Sequence, residues 1–296
     1  MVRLYLNTMM NPISKLRNLC LAACALAFDV HALPEQALVP GGIALLKLDN
    51  YTPDTEVSFE GKPVAVFRNG EQWIAMAGIS LKQAPGKASF SIRQSNGLTV
   101  NTAVEIADKR YEEQRLFIKN KRKVNPFERD MKRISAESQR KNTARRTFTE
   151  APVHSDFIWP ASGRISSIFG LRRFFNDQER RPHSGLDIAA PTGTPVYATA
   201  DGTVIESGDF FFSGNLVYLD HGQGLISLYA HLDRIDVKPG DVIRQGQQIG
   251  TVGETGRVTG AHLHFAVIAN ETLIDPVFML PPLSEMPPLE TTPSDR

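Results

Sequence analysis

Two histidines one residue apart, His262 and His264, sit in the run His262-Leu263-His264-Phe265-Ala266-Val267-Ile268, which is dense in strand formers. Successive side chains of a strand point to opposite faces, so the pair shares one face while Leu263, Phe265 and Val267 point into an apolar layer. A second pair, His183 and Asp187 in His183-Ser184-Gly185-Leu186-Asp187, also falls on one face of a strand. A helix would satisfy that spacing too, but Gly185 and the following Ala189-Ala190-Pro191-Thr192-Gly193 argue for a loop running into a strand. A third segment, Tyr229-Ala230-His231-Leu232, adds one more histidine. The three segments constrain the C-terminal part to a β-domain with a strand-borne polar site, unlike the helical His-Glu-x-x-His arrangement.

The chain has seven histidines, and five lie between residues 183 and 264, the fifth being His221. Neutral imidazole and carboxylate suit zinc, and a catalytic zinc takes three protein ligands and leaves one position open. His183, Asp187, His231, His262 and His264 are enough for three ligands and two groups beside that open position. A lone His-x-His reads more readily as structure than as a metal site, and it is the combination within one β-domain that favours metal. His221, in Asp220-His221-Gly222, fits a hairpin turn and reads as structural. Tyr229 is two residues from His231 and could share its face and orient it, although a packed strand tyrosine is the preferred reading.

The same text resembles the lysostaphin-type (LytM-like) zinc endopeptidases that cut peptidoglycan cross-bridges. The matching runs, in order over roughly 157–280, are Phe169-Gly170-Leu171-Arg172-Arg173, His183 to Pro191, Gly193-Thr194-Pro195-Val196, Asp201-Gly202-Thr203-Val204, Tyr229-Ala230-His231-Leu232 and Gly256 to Phe265. Ala261 stands where the family often has proline, a backbone position that touches no ligand. The resemblance implies an antiparallel β peptidase domain of LytM type, like a duplicated hybrid motif. It assigns His183, Asp187 and His264 to Zn2+ and His231 and His262 to catalysis. It implies peptidoglycan as substrate, regulatory cell-wall proteins as partners, and a D-alanyl–diaminopimelyl bond in preference to polyglycine. The alternative is a non-catalytic relative that binds peptidoglycan or activates other cell-wall hydrolases. Such relatives lack metal ligands, and all five positions are present here, so the enzyme is preferred.

A chain of 296 residues is a prior for about two domains. Its net charge of +1 excludes a basic nucleic-acid binder as a whole-protein reading. Residues 1–32 read as a signal peptide: Lys15 and Arg17, an apolar run from Leu19 to Phe28, then Val30-His31-Ala32 as a small-residue cleavage site. The run is too short to span a membrane. Leu21-Ala22-Ala23-Cys24 resembles a lipoprotein site, but little apolar sequence separates it from Arg17, so a soluble periplasmic protein is preferred to a lipid-anchored one. Both cysteines, Cys20 and Cys24, fall in this leader, so the mature chain needs no disulfide.

The rest divides by pattern into a mainly β protein. Residues 33–106 read as an N-terminal β-sandwich-like domain. It opens at Ile43 to Leu48, makes a hairpin around Glu60-Gly61-Lys62 between Val57 and Phe67, and turns again at Asn69-Gly70. It resembles the β-domain that precedes the peptidase in some Gram-negative members, and its expected role is spacer or binding module. Residues 107–150 read as a basic helical connector broken at Asn125-Pro126, with 14 Lys/Arg against 5 Asp/Glu between Lys109 and Arg146, a difference of 9. Its expected state is a solvated link, with attraction to acidic wall or lipid groups as the sharper reading. Residues 151–282 form the expected peptidase domain. The final stretch holds five prolines from 281 to 296, and 283–296 reads as a flexible tail.

Overall fold

The computed structural model describes residues 33–289. The expected leader, with Cys20, Cys24 and Ala32, and the end of the tail at 290–296 lie outside the described residues. Among the described residues no helix is long and apolar enough to cross a membrane.

The N-terminal part is two facing antiparallel sheets. One contains β1 (Ile43–Leu48), β4 (Ala65–Asn69) and β5 (Gln72–Gly78) in the order β1-β5-β4. The other contains β2 (Glu56–Phe59), β3 (Lys62–Pro63), β6 (Gly86–Arg93) and β7 (Thr99–Ile106) in the order β3-β2-β6-β7. The turn at Glu60-Gly61 forms, with φ of 48° and 77°. The returning arm is shorter than the sequence suggests. Pro63 lacks an N–H for the ladder, and after it the chain crosses to the other sheet as β4.

The β1-β5-β4 sheet is apolar on both faces. Ala44, Ala75 and Ala77 point into the sandwich with Phe59 and Phe90. Ile43, Ile74, Met76, Ala65 and Phe67 point the other way and pack into the same core as Val267, Ala269 and Ile274 of the C-terminal part. Asn270 ties the contact, its Oδ1 accepting from Gly78 N at 2.5 Å and its Nδ2 donating to Gly78 O at 3.2 Å. The N-terminal unit is thus docked through shared core, which a mere spacer does not require.

The connector also departs from a solvated link. It begins with a strand that the charge pattern hid, β8 (Glu113–Leu116), followed by α1 (Lys121–Val124) and α2 (Glu128–Arg145). Asn125 is extended at φ −123°, as a residue before proline prefers, and separates the helices. Two of the six basic residues of α2 are paired with acids. Arg133 meets Glu137 at 2.5 Å and Asp209 at 2.9 Å, and Arg140 meets Glu206 at 2.6 Å. Buried Glu137 also accepts from Phe211 N at 2.7 Å, and Ala144 packs with Phe210, Leu216 and Tyr218.

The C-terminal part is built on a ten-stranded sheet. Its strands are β9 (Arg164–Ser167), β12 (Leu186–Ala189), β13 (Pro195–Tyr197), β14 (Gly202–Phe210), β15 (Gly214–Asp220), β16 (Ile226–Ile235), β17 (Val242–Ile243), β18 (Gln248–Val252), β19 (Leu263–Ala269) and β20 (Thr272–Ile274). The main order is β17-β14-β15-β16-β19-β12-β9. A separate hairpin, β10 (Arg172–Phe175) with β11 (Gln178–Glu179), pairs in parallel with β8, placing Arg173 opposite Gln114. Leu263, Phe265 and Val267 enter the core on one face of β19, as alternation requires.

Candidate metal centre

Asp187 on β12 lies directly opposite His264 on β19, and Ala230 on β16 lies opposite His264 from the other side. His183 ends the loop before β12 and is fixed by two backbone hydrogen bonds, Gly170 N to its carbonyl (2.9 Å) and its own N to Leu171 O (2.8 Å). Gly185 is required by close approach, since a Cβ there would stand 2.3 Å from Phe265 O and 2.8 Å from His264 Cε1.

The structure brings all five sequence-predicted residues together. His183 Nε2 is 2.9 Å from Asp187 Oδ1, His264 Nδ1 is 2.8 Å from the same oxygen, and the two ring nitrogens are 3.1 Å apart. These three offer ligand atoms all within 4.8 Å of one another. His262 Nε2 is 3.8 Å from Asp187 Oδ1. The ring of His231 lies 4.9 Å from that of His262 and 5.9 Å from that of His264.

The donor chemistry of the inner three fits a cation. His183 Nδ1 lies 2.6 Å from Ile168 O, a carbonyl that can only accept, so Nδ1 carries the proton. With Nδ1 turned to that carbonyl, Nε2 points at Asp187 Oδ1 and His264 Nδ1, 2.9 Å and 3.1 Å away, the direction in which a shared cation would be held. Burial pushes the Asp187 carboxyl up, but hydrogen bonds to His183 and His264 outweigh it and hold the group well below the usual range. The second carboxylate oxygen is held by Arg173 Nη2 at 2.7 Å. Arg173 is held in turn by Ser167 Oγ (3.0 Å) and Gln114 Oε1 (3.0 Å).

His231 and His262 are arranged differently. His231 Nδ1 donates to Thr255 O (2.8 Å) and His262 Nδ1 donates to Gly260 O (2.9 Å), so each leaves Nε2 as a free lone pair. Burial lowers both imidazoles from their ordinary pKa, His231 strongly, and both are neutral near pH 7. His231 has φ +65°, a left-handed conformation that costs a β-run residue about 1–3 kcal/mol. That kink breaks the two-residue alternation of β16. Tyr229 accordingly does not share the face of His231. It is fully buried, packs on Phe265 at 5.4 Å, and its hydroxyl accepts from Thr199 N at 2.8 Å. The idea that it orients His231 is overturned. His221 is buried with its nitrogens 2.7 Å from Asp201 O and 2.7 Å from Ser227 Oγ.

Sequence reasoning missed Arg173, Gln114, Ser167 and the carbonyls of Thr255 and Gly260. Arg173 alone left a signal, an arginine inside the run Phe169 to Arg173 that resembles the family.

The model of peptidase family M23 matches residues 181–276, and that of the M23 N-terminal domain matches residues 36–109. A crystal structure of a putative peptidase M23 from Pseudomonas aeruginosa is 36% identical with a TM-score of 0.70, covering 82% of this chain and 95% of that one. The chain belongs to peptidase family M23. Two curated relatives match this M23 chain over its C-terminal part. The peptidoglycan DD-endopeptidase ShyA of Vibrio cholerae is 42% identical over 128 residues, 43% of this chain and 28% of ShyA. The DD-carboxypeptidase/endopeptidase Mpg of Neisseria meningitidis is 44% identical over 123 residues, 42% of this chain and 28% of Mpg. The matched stretch is thus well under half of either relative's length.

Proposed function

We propose that this chain is a zinc endopeptidase that hydrolyses amide bonds in the peptide cross-links of peptidoglycan, acting in the periplasm. The observation that carries the reading is the division of the five polar groups. His183, Asp187 and His264 converge as a three-donor set, while His231 and His262 stand beside it with free Nε2 atoms. The degenerate, non-catalytic reading has no use for that division.

His183 Nε2, Asp187 Oδ1 and His264 Nδ1 would hold the zinc, which when bound supplies Lewis acidity at the scissile carbonyl. Arg173 fixes the carboxylate so that one oxygen faces the other two donors. A neutral His231 or His262 can take the attacking water's proton at Nε2. Once protonated, the same atom donates to the developing oxyanion or to the leaving nitrogen. The carbonyls of Thr255 and Gly260 set the tautomer each role needs. The similarity to the DD-endopeptidase ShyA and the DD-carboxypeptidase/endopeptidase Mpg supports a DD-peptide bond as the target, which accords with a D-alanyl–diaminopimelyl cross-link.

The test is digestion of purified sacculi by the zinc-loaded mature protein, with mass analysis of released muropeptides. Cross-linked dimers should fall and monomers rise, and His264→Ala should lose both bound zinc and release. Full zinc occupancy in His264→Ala would overturn the ligand assignment, and unchanged sacculi would overturn the substrate.

A further inference from the structure

The loop from Glu254 to Ala261 carries the two carbonyls that orient His231 and His262, and between them it carries Arg257. The Arg257 guanidinium lies over the ring of Phe175 on β10 at 4.6 Å and over the ring of Phe212 in the β14–β15 turn at 4.6 Å. Among the described residues it has no carboxylate partner, and its one side-chain hydrogen bond is a long one, 3.4 Å from Nη1 to Lys123 O. Burial, and then the charges of Arg173 and Arg180, push it down to about 10. Arg180, beside β11, likewise has no carboxylate partner among the described residues. Its Nη2 donates to Val124 O (3.2 Å), Asn125 Oδ1 (3.1 Å) and Gln178 Oε1 (2.5 Å). Two arginines from two walls of the site therefore converge on neutral oxygens at the C-terminal end of α1. Both side chains are half-buried; a guanidinium partly desolvated without an anion is costly, and its fork matches a carboxylate.

We propose that Arg257 and Arg180 form a receptor for a free carboxylate of the substrate peptide beside the scissile amide, and that Lys123 O and Val124 O occupy it until substrate enters. The inference rests on the peptidase reading above. A D-alanyl–diaminopimelyl cross-link carries a free carboxylate on the carbon bearing the scissile nitrogen, and a D-alanyl-D-alanine end carries one in the same place. A polyglycine bridge carries none there. The pair thus selects acidic stem peptides and leaves uncharged bridges uncut. Substrate entry must also lift residues 123–125, whose anchors are the Val124 contact with Phe175 and Ile118 and the Lys123 hydrogen bond to Phe211 O.

The probe is a pair of cross-linked muropeptide dimers that differ only in this carboxylate, free in one and amidated in the other. Binding to the metal-free mature chain is measured by calorimetry, so the result does not depend on hydrolysis. The acid should bind about tenfold to hundredfold tighter than the amide. Arg257→Gln or Arg180→Gln should bring the acid-to-amide ratio close to one, and Arg257→Lys, which keeps the charge but not the fork, should fall between. The ratio is read within each variant, so a general loss of folding does not mimic lost preference. Should Arg257→Gln fail to fold, Arg180→Gln carries the same test. Equal affinity of wild type for acid and amide would overturn the receptor, as would a preference that survives both glutamine changes. Failure of the zinc-loaded chain to cleave either dimer would count against the peptidase reading alone.

Discussion

Replacing Arg173 by methionine removes the one permanently charged cation in contact with Asp187 while keeping much of the side-chain volume. The pair is 2.7 Å apart, with side chains 16% and 7% exposed. Charges about 4 Å apart attract by about 4 kcal/mol at an effective dielectric of about 20. Breaking a buried pair by removing one partner costs about 3–5 kcal/mol, because the surviving charge stays buried. Arg173 is the more exposed end and water can partly take its place, so the lower figure, about 3 kcal/mol, is expected for the metal-free protein. Zinc changes the balance, since it would supply positive charge at the other carboxylate oxygen. Arg173→Met should therefore lose about 3 kcal/mol in chelator and clearly less at saturating zinc. Urea unfolding of wild type and variant under both conditions measures the difference. An equal loss with and without zinc would refute the reasoning, because the carboxylate would then not be shared between the guanidinium and the metal.

His231→Ala should keep its zinc by elemental analysis and lose about 10²–10³-fold in turnover of soluble dimers, the usual effect of removing one transition-state donor; normal turnover would end its catalytic role. Gly185→Ala forces a methyl against Phe265 O and the His264 ring. It should cost about 1–3 kcal/mol and weaken zinc binding in a competition titration. His221 is buried neutral, its pKa lowered by burial from 6.5 to about 4. The unfolded chain then binds the extra proton first as pH falls, so this contribution is intact above pH 6.5 and lost between 6.5 and about 4. It amounts to about 2–4 kcal/mol, and His221→Gln should flatten the acid limb of a stability–pH curve by that much; an unchanged limb would show that His221 is not the group titrating.

His183 was legible because Gly185 marks a loop running into the strand that holds Asp187, and His262 and His264 because they stand among strong strand formers and alternation carried them to one face. The same rule failed at His231, where a left-handed residue interrupts β16 and nothing in Tyr229 to Leu232 signals it. The connector's helices and their break at Asn125-Pro126 were read, but its pairing with the peptidase part was not, for a related reason. Net charge counts residues, not partners, and the acids that pair with Arg133 and Arg140 include Asp209 and Glu206, far along the chain. Its strand was hidden because Glu113-Gln114-Arg115-Leu116 has no apolar alternation, and it forms by pairing to β10. Arg173 could be quoted but not assigned, because its partners Gln114 and Asp187 come from two other segments. The N-terminal strands were read well, but not that one sheet has two dry faces. Ile74-Ala75-Met76-Ala77 looks like any short buried strand.

That two-faced sheet bears on how the molecule comes apart. Ile43, Ile74 and Met76 belong to the β-sandwich by connectivity and to the peptidase core by packing. Opening the junction would wet both surfaces at once: the sandwich would keep the core between its sheets but expose Ile43, Ile74 and Met76, and the peptidase part would uncover Val267, Ala269 and Ile274. Melting should accordingly be a single transition, with calorimetric and van't Hoff enthalpies that agree for the whole chain, where two independent units would give two peaks. Amides of β5 and β19 should exchange hydrogen with one common free energy, that of global unfolding. The peptidase portion is then not a detachable module, and cutting before Phe157 would remove part of its interior along with its neighbour.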